Sequence, residues 1–412
     1  MDFNDTPEEA AFRAQARAFL EANCKPKVAR NAALGRPASE EQEASYLARA
    51  KAYQAKKAQA GFAGLTWAPA HGGRGLAPIF SVIFGQEEAR FDAPGAPFTI
   101  GLGMCVPTLI AFGSDAHRQR YVPPALRGEE IWCQLFSEPA AGSDVAGIKT
   151  RAVHEGDAWR VQGQKVWTSG AHYSDFGLLL ARTDANAHKH KGLTMFFLDM
   201  RSPGVEVRPI HQASGESQFN EVFFEDVMIP DAQRLGDVGQ GWSVALVTLM
   251  NERLAVGGSP GPDYEDMLAF AAGAHAANGQ TSLLADSAFR QKLADWYVSA
   301  EGYKLGRFRT MTALSRGQAP GPEAAIGKIL NANRLQDITS AAIDAQDHFG
   351  LVIGENSASD LFLRSFLWAP GLRIAGGTDE ILKNIIAERV LGLPADPRAD
   401  KGIAFKDLPS GA

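Results

Sequence analysis

The stretch RIAGGTDEILKNIIAERVLGLP, residues 373–394, sets a glycine pair and a threonine before a run of helical period. Its apolar residues Ile381, Leu382, Ile385, Ile386 and Val390 have the spacing of a buried helix face. Free N–H groups and the helix dipole converge at such a start, so a bare backbone there can bind an anion. The plainer alternative is a Gly376-Gly377 turn with Thr378 as a helix cap. A second stretch, WCQLFSEPAAGSDVAGIKTRA at 132–152, ends a strand in Ser137-Glu138-Pro139 and follows it with a small-residue turn from Ala140 to Asp144. Hydroxyls and exposed amides there suit a flat, hydrogen-bonding ligand pressed against a strand end, although the same residue types build ordinary surface loops. A third, GQKVWTSGAHYSD at 163–175, gathers an aromatic ring, hydroxyls and a glycine at a strand end; by residue type alone Trp167 belongs in a core. A fourth, GWSVALVTLMNERLAV at 241–256, is apolar up to the pair Glu252-Arg253. Such dipeptides ordinarily form solvated surface pairs.

The elements that must position these residues fall into three textures. Residues 1–131 read as a helical domain, with helices joined by polar or Gly/Pro loops such as KPKVARNAALGRPAS at 25–39 and WAPAHGGRGLAP at 67–78. Thr6-Pro7-Glu8-Glu9 opens it with an N-cap, a proline at the first helical position and acids in the first turn. Residues 132–238 change to short β-type runs, AWRVQGQKVW, FGLLLARTD, LTMFFLDM, VEVRPIH and NEVFFEDVMIP, with Glu155-Gly156-Asp157 as a hairpin turn. Residues 239–412 return to the helical period, which persists to about residue 391 and breaks at GGSPGP, GQAPGP and WAPG. Helices, a small all-β module, then helices is neither a βαβ series nor a simple bundle.

With 412 residues the chain can bury more than one core, and its 45% hydrophobic and 21% charged content is that of a globular protein. A net charge of −6 offers no basic excess to meet phosphates, which argues against a nucleic-acid partner. No apolar run reaches membrane-spanning length, and MDFNDTPEEAAF lacks the basic and apolar regions of a secretory signal. Cys24, Cys105 and Cys133 are too few and too scattered for a disulfide framework or a metal cluster, so the expected location is cytoplasmic. His188 and His190 in ANAHKHKG resemble a metal pair, but they sit in a polar stretch without a third ligand and read as a solvated turn. GGRG at 72–75 follows no strand of a βαβ unit, which excludes a Rossmann reading.

Taken in order, WAPAHGGRG, FSEPAAGSDVAG, KVWTSG and GGTDEILKNIIAERVLG resemble the motifs of the acyl-CoA dehydrogenase family of flavoproteins along most of the chain. The resemblance implies an α+β multidomain fold: a helical N-terminal domain, a central β-barrel and a C-terminal four-helix bundle. It implies FAD as cofactor, with Gln134, Phe136, Ser137, Gly142 and Ser143 on the flavin or at the substrate mouth. Trp167 would cover one side of the flavin, and Ser169 takes the hydroxyl position near its hydride-accepting nitrogen. Thr378 and the following helix start would hold the phosphate or ribose, with Glu380 where many relatives carry glutamine. Gln346 and Gly350 resemble a segment that reaches the adenosine half of FAD on a neighbouring subunit, and the assembly implied is a homotetramer built as a dimer of dimers. An Arg-x-x-Phe-Gly motif that many relatives use on the partner's FAD is not visible; Arg290 is the possible substitute.

Removing an α-proton beside a thioester needs a desolvated carboxylate and donors for the enolate oxygen. Many relatives carry the base directly before Gly-Thr, where this chain has Gly376, a residue that cannot take a proton. The family's second solution places a glutamate on an earlier helix immediately before an arginine, which assigns the base to Glu252, followed by Arg253 at the substrate site. Gly376 then keeps its backbone N–H for the thioester carbonyl. The activity implied is α,β-dehydrogenation of an acyl-CoA to a trans-2-enoyl-CoA, with electrons passed to an electron-transfer flavoprotein. Alternatives on the same scaffold are a flavin oxidase or monooxygenase, or a non-catalytic subunit of a mixed tetramer. The helix break at GGSPGP just after the base suggests a pocket widened for a branched, cyclic or bulky acyl group.

Overall fold

The computed structural model describes residues 4–27, 39–255, 261–273, 282–316, 321–322, 324–346, 358–397, 400 and 402–408. By contacts the chain divides into two compact units, Met1–Pro37 with Ala77–Asp92 and Gly257–Ala395, and Ala38–Leu76 with Ala93–Val256 and Asp396–Ala412.

The first unit is helical: α1 (Pro7–Asn23), α3 (Pro78–Glu88), α7 (Tyr264–Gly273), α8 (Ser287–Ser315), α9 (Ala324–Gln346), α10 (Ala358–Ile374) and α11 (Asp379–Ile385). Thr6 caps α1 as its sequence foretells: its hydroxyl accepts from the Glu9 N–H, and Glu9 accepts from the Thr6 N–H at 2.8 Å. Phe12, Ala16 and Leu20 recur one turn apart and form the buried stripe of α1, with Phe12 edge-on to Phe80 of α3. A separate core in the same unit joins Met267, Ala271, Phe289, Trp296, Ile338 and Phe362. The Trp296 indole N–H finds Asp337 at 2.7 Å, so burial of the ring leaves no donor unmet.

The second unit holds α2 (Glu40–Gln59), α4 (Val106–Phe112), α5 (Asp115–Leu126), an eight-stranded sheet and α6 (Gly241–Ala255). Its strands are β1 (Trp132–Leu135), β2 (Arg151–Glu155), β3 (Ala158–Ser169), β4 (Phe176–Arg182), β5 (Leu193–Asp199), β6 (Val205–Pro209), β7 (Phe219–Pro230) and β8 (Arg234–Leu235). β2 and β3 turn at Gly156-Asp157, where Gly156 has φ 65°, a left-handed conformation that favours glycine. β4 is buried along its whole length, which explains why FGLLLAR reads as a continuous apolar run instead of an alternating one. The sheet order is β6-β7-β3-β2-β4-β5-β8, with β1 parallel to β4.

The central domain is therefore a sheet as expected, but the expected closure into a barrel is not seen. Among the described residues no pairing joins β6 to β8, the two ends of the path. β8 has two residues, both already matched to β5, and offers too short an edge to close on β6. α6 lies on the sheet side through the buried Val244, Ala245 and Thr248, whose hydroxyl meets that of Thr108 at 2.8 Å. α6 is described as far as Ala255, residues 261–263 are not helical and the next helix starts at Tyr264; most of the expected break at GGSPGP lies outside the described residues. No helix among the described residues is long and apolar enough to cross a membrane.

Candidate active site

Two of the four motif stretches are joined by direct bonds within the sheet unit. β1 leaves the sheet after Leu135, and the chain then runs beside β3, where the Val166 N–H donates to the Ser137 carbonyl at 2.9 Å. Glu138 and Ala141 exchange backbone bonds at 3.1 and 3.0 Å, which closes the small-residue turn and leaves Gly142, Ser143 and Asp144 exposed. A Cβ on Gly142 would meet nothing within 4 Å, so this turn presents open backbone to a ligand. Gln134 and Ser137 are half-buried. Phe136 turns inward at 2% exposure and backs the turn from the interior.

Trp167 is where the sequence reading by residue type is corrected. It is not a core residue: it is 57% exposed, with φ 59°, in a register shift of β3 against β7 between Lys165 and Thr168. A left-handed bulky residue costs about 1–3 kcal/mol and persists only where its surroundings force it. The forcing groups are visible. Thr168 behind it is buried, and its carbonyl accepts from the buried Asn220 amide at 2.9 Å. The bulge thus swings the indole outward, edge-on to Phe219 and one residue from the Val166 N–H that bonds Ser137 at the entry to the exposed turn. The Thr168 hydroxyl is buried with no hydrogen-bond partner among the described residues, and Ser169 is half-buried next to it. An outward aromatic face, open amides and a nearby hydroxyl make a wall that fits a flat, polar-edged ring system such as a flavin.

Behind this wall lie buried charges that the sequence reading missed. Lys165 is fully buried, and its ammonium donates to the Phe136 carbonyl at 2.9 Å and to Glu138 at 2.8 Å. Glu138, 7% exposed, also accepts from the N–H groups of Lys149 and Thr150 at 2.6 and 2.9 Å. Burial disfavours the Glu138 charge, but Lys165 and those donors outweigh it and hold the carboxyl below its usual range. Burial, only partly offset by Glu138, pushes the Lys165 ammonium down to about 8. The pair pins the exit of β1 to β3 and so sets where Ser137 and Trp167 stand. The signal was present as an acid inside FSEP and a lysine inside GQKVW, both in runs too apolar for solvated charges.

The C-terminal turn is built in the helical unit. Gly376 and Gly377 have φ 65° and 92°, and Thr378 caps α11, accepting from the Ile381 N–H at 3.2 Å. Asp379, at 1% exposure, anchors the turn: Arg373 meets it at 2.9 Å, Asn333 at 3.3 Å and Lys328 at 3.5 Å. Lys328 also donates to the Gly377 carbonyl at 2.7 Å. The buried member of GGTDE is thus the aspartate, while Glu380 is exposed and helped below its usual range by a backbone N–H bond. Gln346 bonds the Ala342 carbonyl of its own helix at 2.8 Å, and Gly350 lies outside the described residues. Arg290, the possible phosphate substitute, instead ties down the carbonyls of Leu284 and Ala285 at 2.8 and 2.9 Å. Glu252 and Arg253 are helical within α6, and their side chains lie outside the described ones.

Comparison with known proteins follows the same three segments. Residues 6–129 match the N-terminal domain of acyl-CoA dehydrogenases, 133–227 the middle domain and 239–391 the C-terminal domain. The acyl-CoA dehydrogenase IpdE1 of Mycolicibacterium smegmatis is 35% identical over 94% of this chain and 99% of its own length. FadE34 of Mycobacterium tuberculosis, also an acyl-CoA dehydrogenase, is 39% identical over 79% of this chain, which spans 44% of that longer relative. Among solved structures, one described as the Tcur3481-Tcur3483 steroid ACAD superposes with a TM-score of 0.77 at 24% identity, covering 96% of this chain and 100% of that one.

Proposed function

Because the chain belongs to the acyl-CoA dehydrogenase family, oxidoreductases acting on CH–CH groups, we propose that it is an FAD-dependent dehydrogenase that converts an acyl-CoA to its trans-2-enoyl-CoA. The observation that carries this reading is the wall, braced by Lys165 and Glu138, where Trp167 stands outward on a strained bulge one residue from the Val166 N–H that bonds Ser137 at the entry to the open Gly142-Ser143 turn. When bound, FAD supplies the two-electron acceptor for the β-hydrogen. Gln134, Ser137, Gly142, Ser143, Trp167 and Ser169 would hold its ring end, with Phe136 backing them from the interior; Thr378 and Glu380 would meet its phosphate or ribose, and Gln346 and Gly350 the adenosine of a neighbouring subunit's FAD.

In this reading Glu252 takes the α-proton, and the Gly376 N–H donates to the thioester carbonyl, so that charge developing on oxygen meets a fixed donor. Arg253 would contribute to binding the substrate. A glycine at 376 removes the side chain that would crowd a base arriving from elsewhere. Glu252→Gln should still bind FAD yet fail to bleach it when a good acyl-CoA is added anaerobically; bleaching at the parental rate would reject Glu252 as the base.

The Gly/Pro-rich GGSPGP stretch after Glu252 and the likeness to a steroid ACAD both favour a bulky or ring-bearing acyl group. Faster initial rates on straight C4–C8 chains than on bulky acyl-CoAs would count against that. Electron-transfer flavoprotein as acceptor, a homotetramer, a cytoplasmic location and functional boundaries near residues 131 and 238 complete the reading. The bare Gly376 also favours a second reading, a subunit that turns over only beside a different partner chain. Turnover by the purified chain alone separates the two, and fast reoxidation in air would mark an oxidase.

A further inference from the structure

In ANAHKHKG the sequence reads as a solvated turn, yet Lys189 at its centre is 6% exposed. Its ammonium reaches both oxygens of Asp144, at 3.1 and 2.9 Å, and Asp400 of the C-terminal segment at 2.5 Å. The Lys189 carbonyl accepts from the buried Arg182 guanidinium at 2.6 Å, and Arg182 donates at 2.6 Å to the carbonyl of Ala146, just past Asp144. The chain's end covers this junction. The Phe405 ring stacks 3.7 Å from the Arg182 guanidinium, and the N–H groups of Phe405 and Lys406 bond the carbonyls of Ala187 and Ala185 at 2.9 and 3.0 Å. Ala404 forms a β-bridge with His188. Two cations therefore sit between the ligand-facing turn and the last described residues of the chain.

We infer that Lys189 is a positioning residue through which the C-terminal segment around Asp400–Phe405 holds the Ala140–Asp144 turn in place. Without the ammonium, the carboxylates of Asp144 and Asp400 face each other across one site, and like charges at that range repel. Asp144 is the outer end of the turn, and among the described residues Lys189 is its side-chain anchor, so the turn should loosen from that end. The consequence for the flavin rests on the function proposed above; the loosening itself does not.

The test is amide hydrogen exchange over residues 140–148 in Lys189→Met, Lys189→Arg and Phe405→Ala, each read against peptides from β4 and β5. Lys189→Met should speed exchange in the turn by about tenfold, the equivalent of one charge-assisted hydrogen bond, with the strands unchanged. Lys189→Arg, which keeps the charge, should restore most of the protection. Phe405→Ala removes no charge and tests the segment's own part; it should loosen the same amides by a smaller factor. Unchanged exchange in both Lys189→Met and Phe405→Ala would overturn the inference, as would an equal loss of protection throughout the sheet. FAD affinity, titrated on the apoprotein by flavin fluorescence, is the separate readout. A loosened turn with undiminished affinity would sink the flavin assignment of the turn and leave its anchoring intact.

Discussion

Replacing Lys165 by Met keeps the length of the side chain and removes its charge from a fully buried position. Glu138 then keeps the Lys149 and Thr150 donors but loses the cation 2.8 Å away, and the Phe136 carbonyl loses its donor at 2.9 Å. Breaking a buried pair by removing one partner costs about 3–5 kcal/mol; the two remaining donors place this case near the lower end, about 3 kcal/mol. Adding Glu138→Gln removes the stranded charge, so the double variant should be the more stable of the two, by about 1–2 kcal/mol. Urea unfolding followed by tryptophan fluorescence measures both. The pH dependence supplies an independent sign. In the parent, Glu138 is held below its unfolded value, so its contribution is present at neutral pH and lost as pH falls through the folded value. In Lys165→Met, burial dominates and the folded value rises above the unfolded one. The parent–variant gap should therefore narrow from about pH 7 to about pH 5, a window in which Lys165, at about 8, stays charged in the parent. A gap under about 1 kcal/mol at pH 7, or one that widens as pH falls, would refute the bracing role given to this pair.

Asp379→Asn removes the charge that Arg373 and Lys328 share, and should cost about 2–4 kcal/mol while exposing the amides of 376–382 to faster exchange; a rise confined to the end of α11 would contradict the anchoring of the glycine turn. Trp167→Gly trades a strained left-handed aromatic for a residue at ease there, so stability should change by no more than about 1 kcal/mol while FAD affinity falls at least tenfold. Equal FAD affinity in parent and variant would remove the indole from the flavin wall.

Periodicity carried the fold well. The β-type runs fall on β3 to β7 almost residue for residue, and Thr6, Thr378 and Gly156 do the capping and turning that their types imply. Closure of the sheet was not legible, because it depends on the length of β8, two residues with no pattern of their own. Trp167 was misread by type because burial statistics carry no information about a bulge, which arises from how β3 meets β7. Glu138, Lys165, Asp379 and Lys189 share another cause. Charged side chains read as surface in a sequence, and only their partners, brought from distant segments, show that they are interior.

The docking of Ala404–Lys406 against residues 185–188 has a consequence for the order in which the unit folds. The ring over Arg182 comes from Phe405, far along the chain from β4, so these contacts are long-range and close only on a sheet that has already paired.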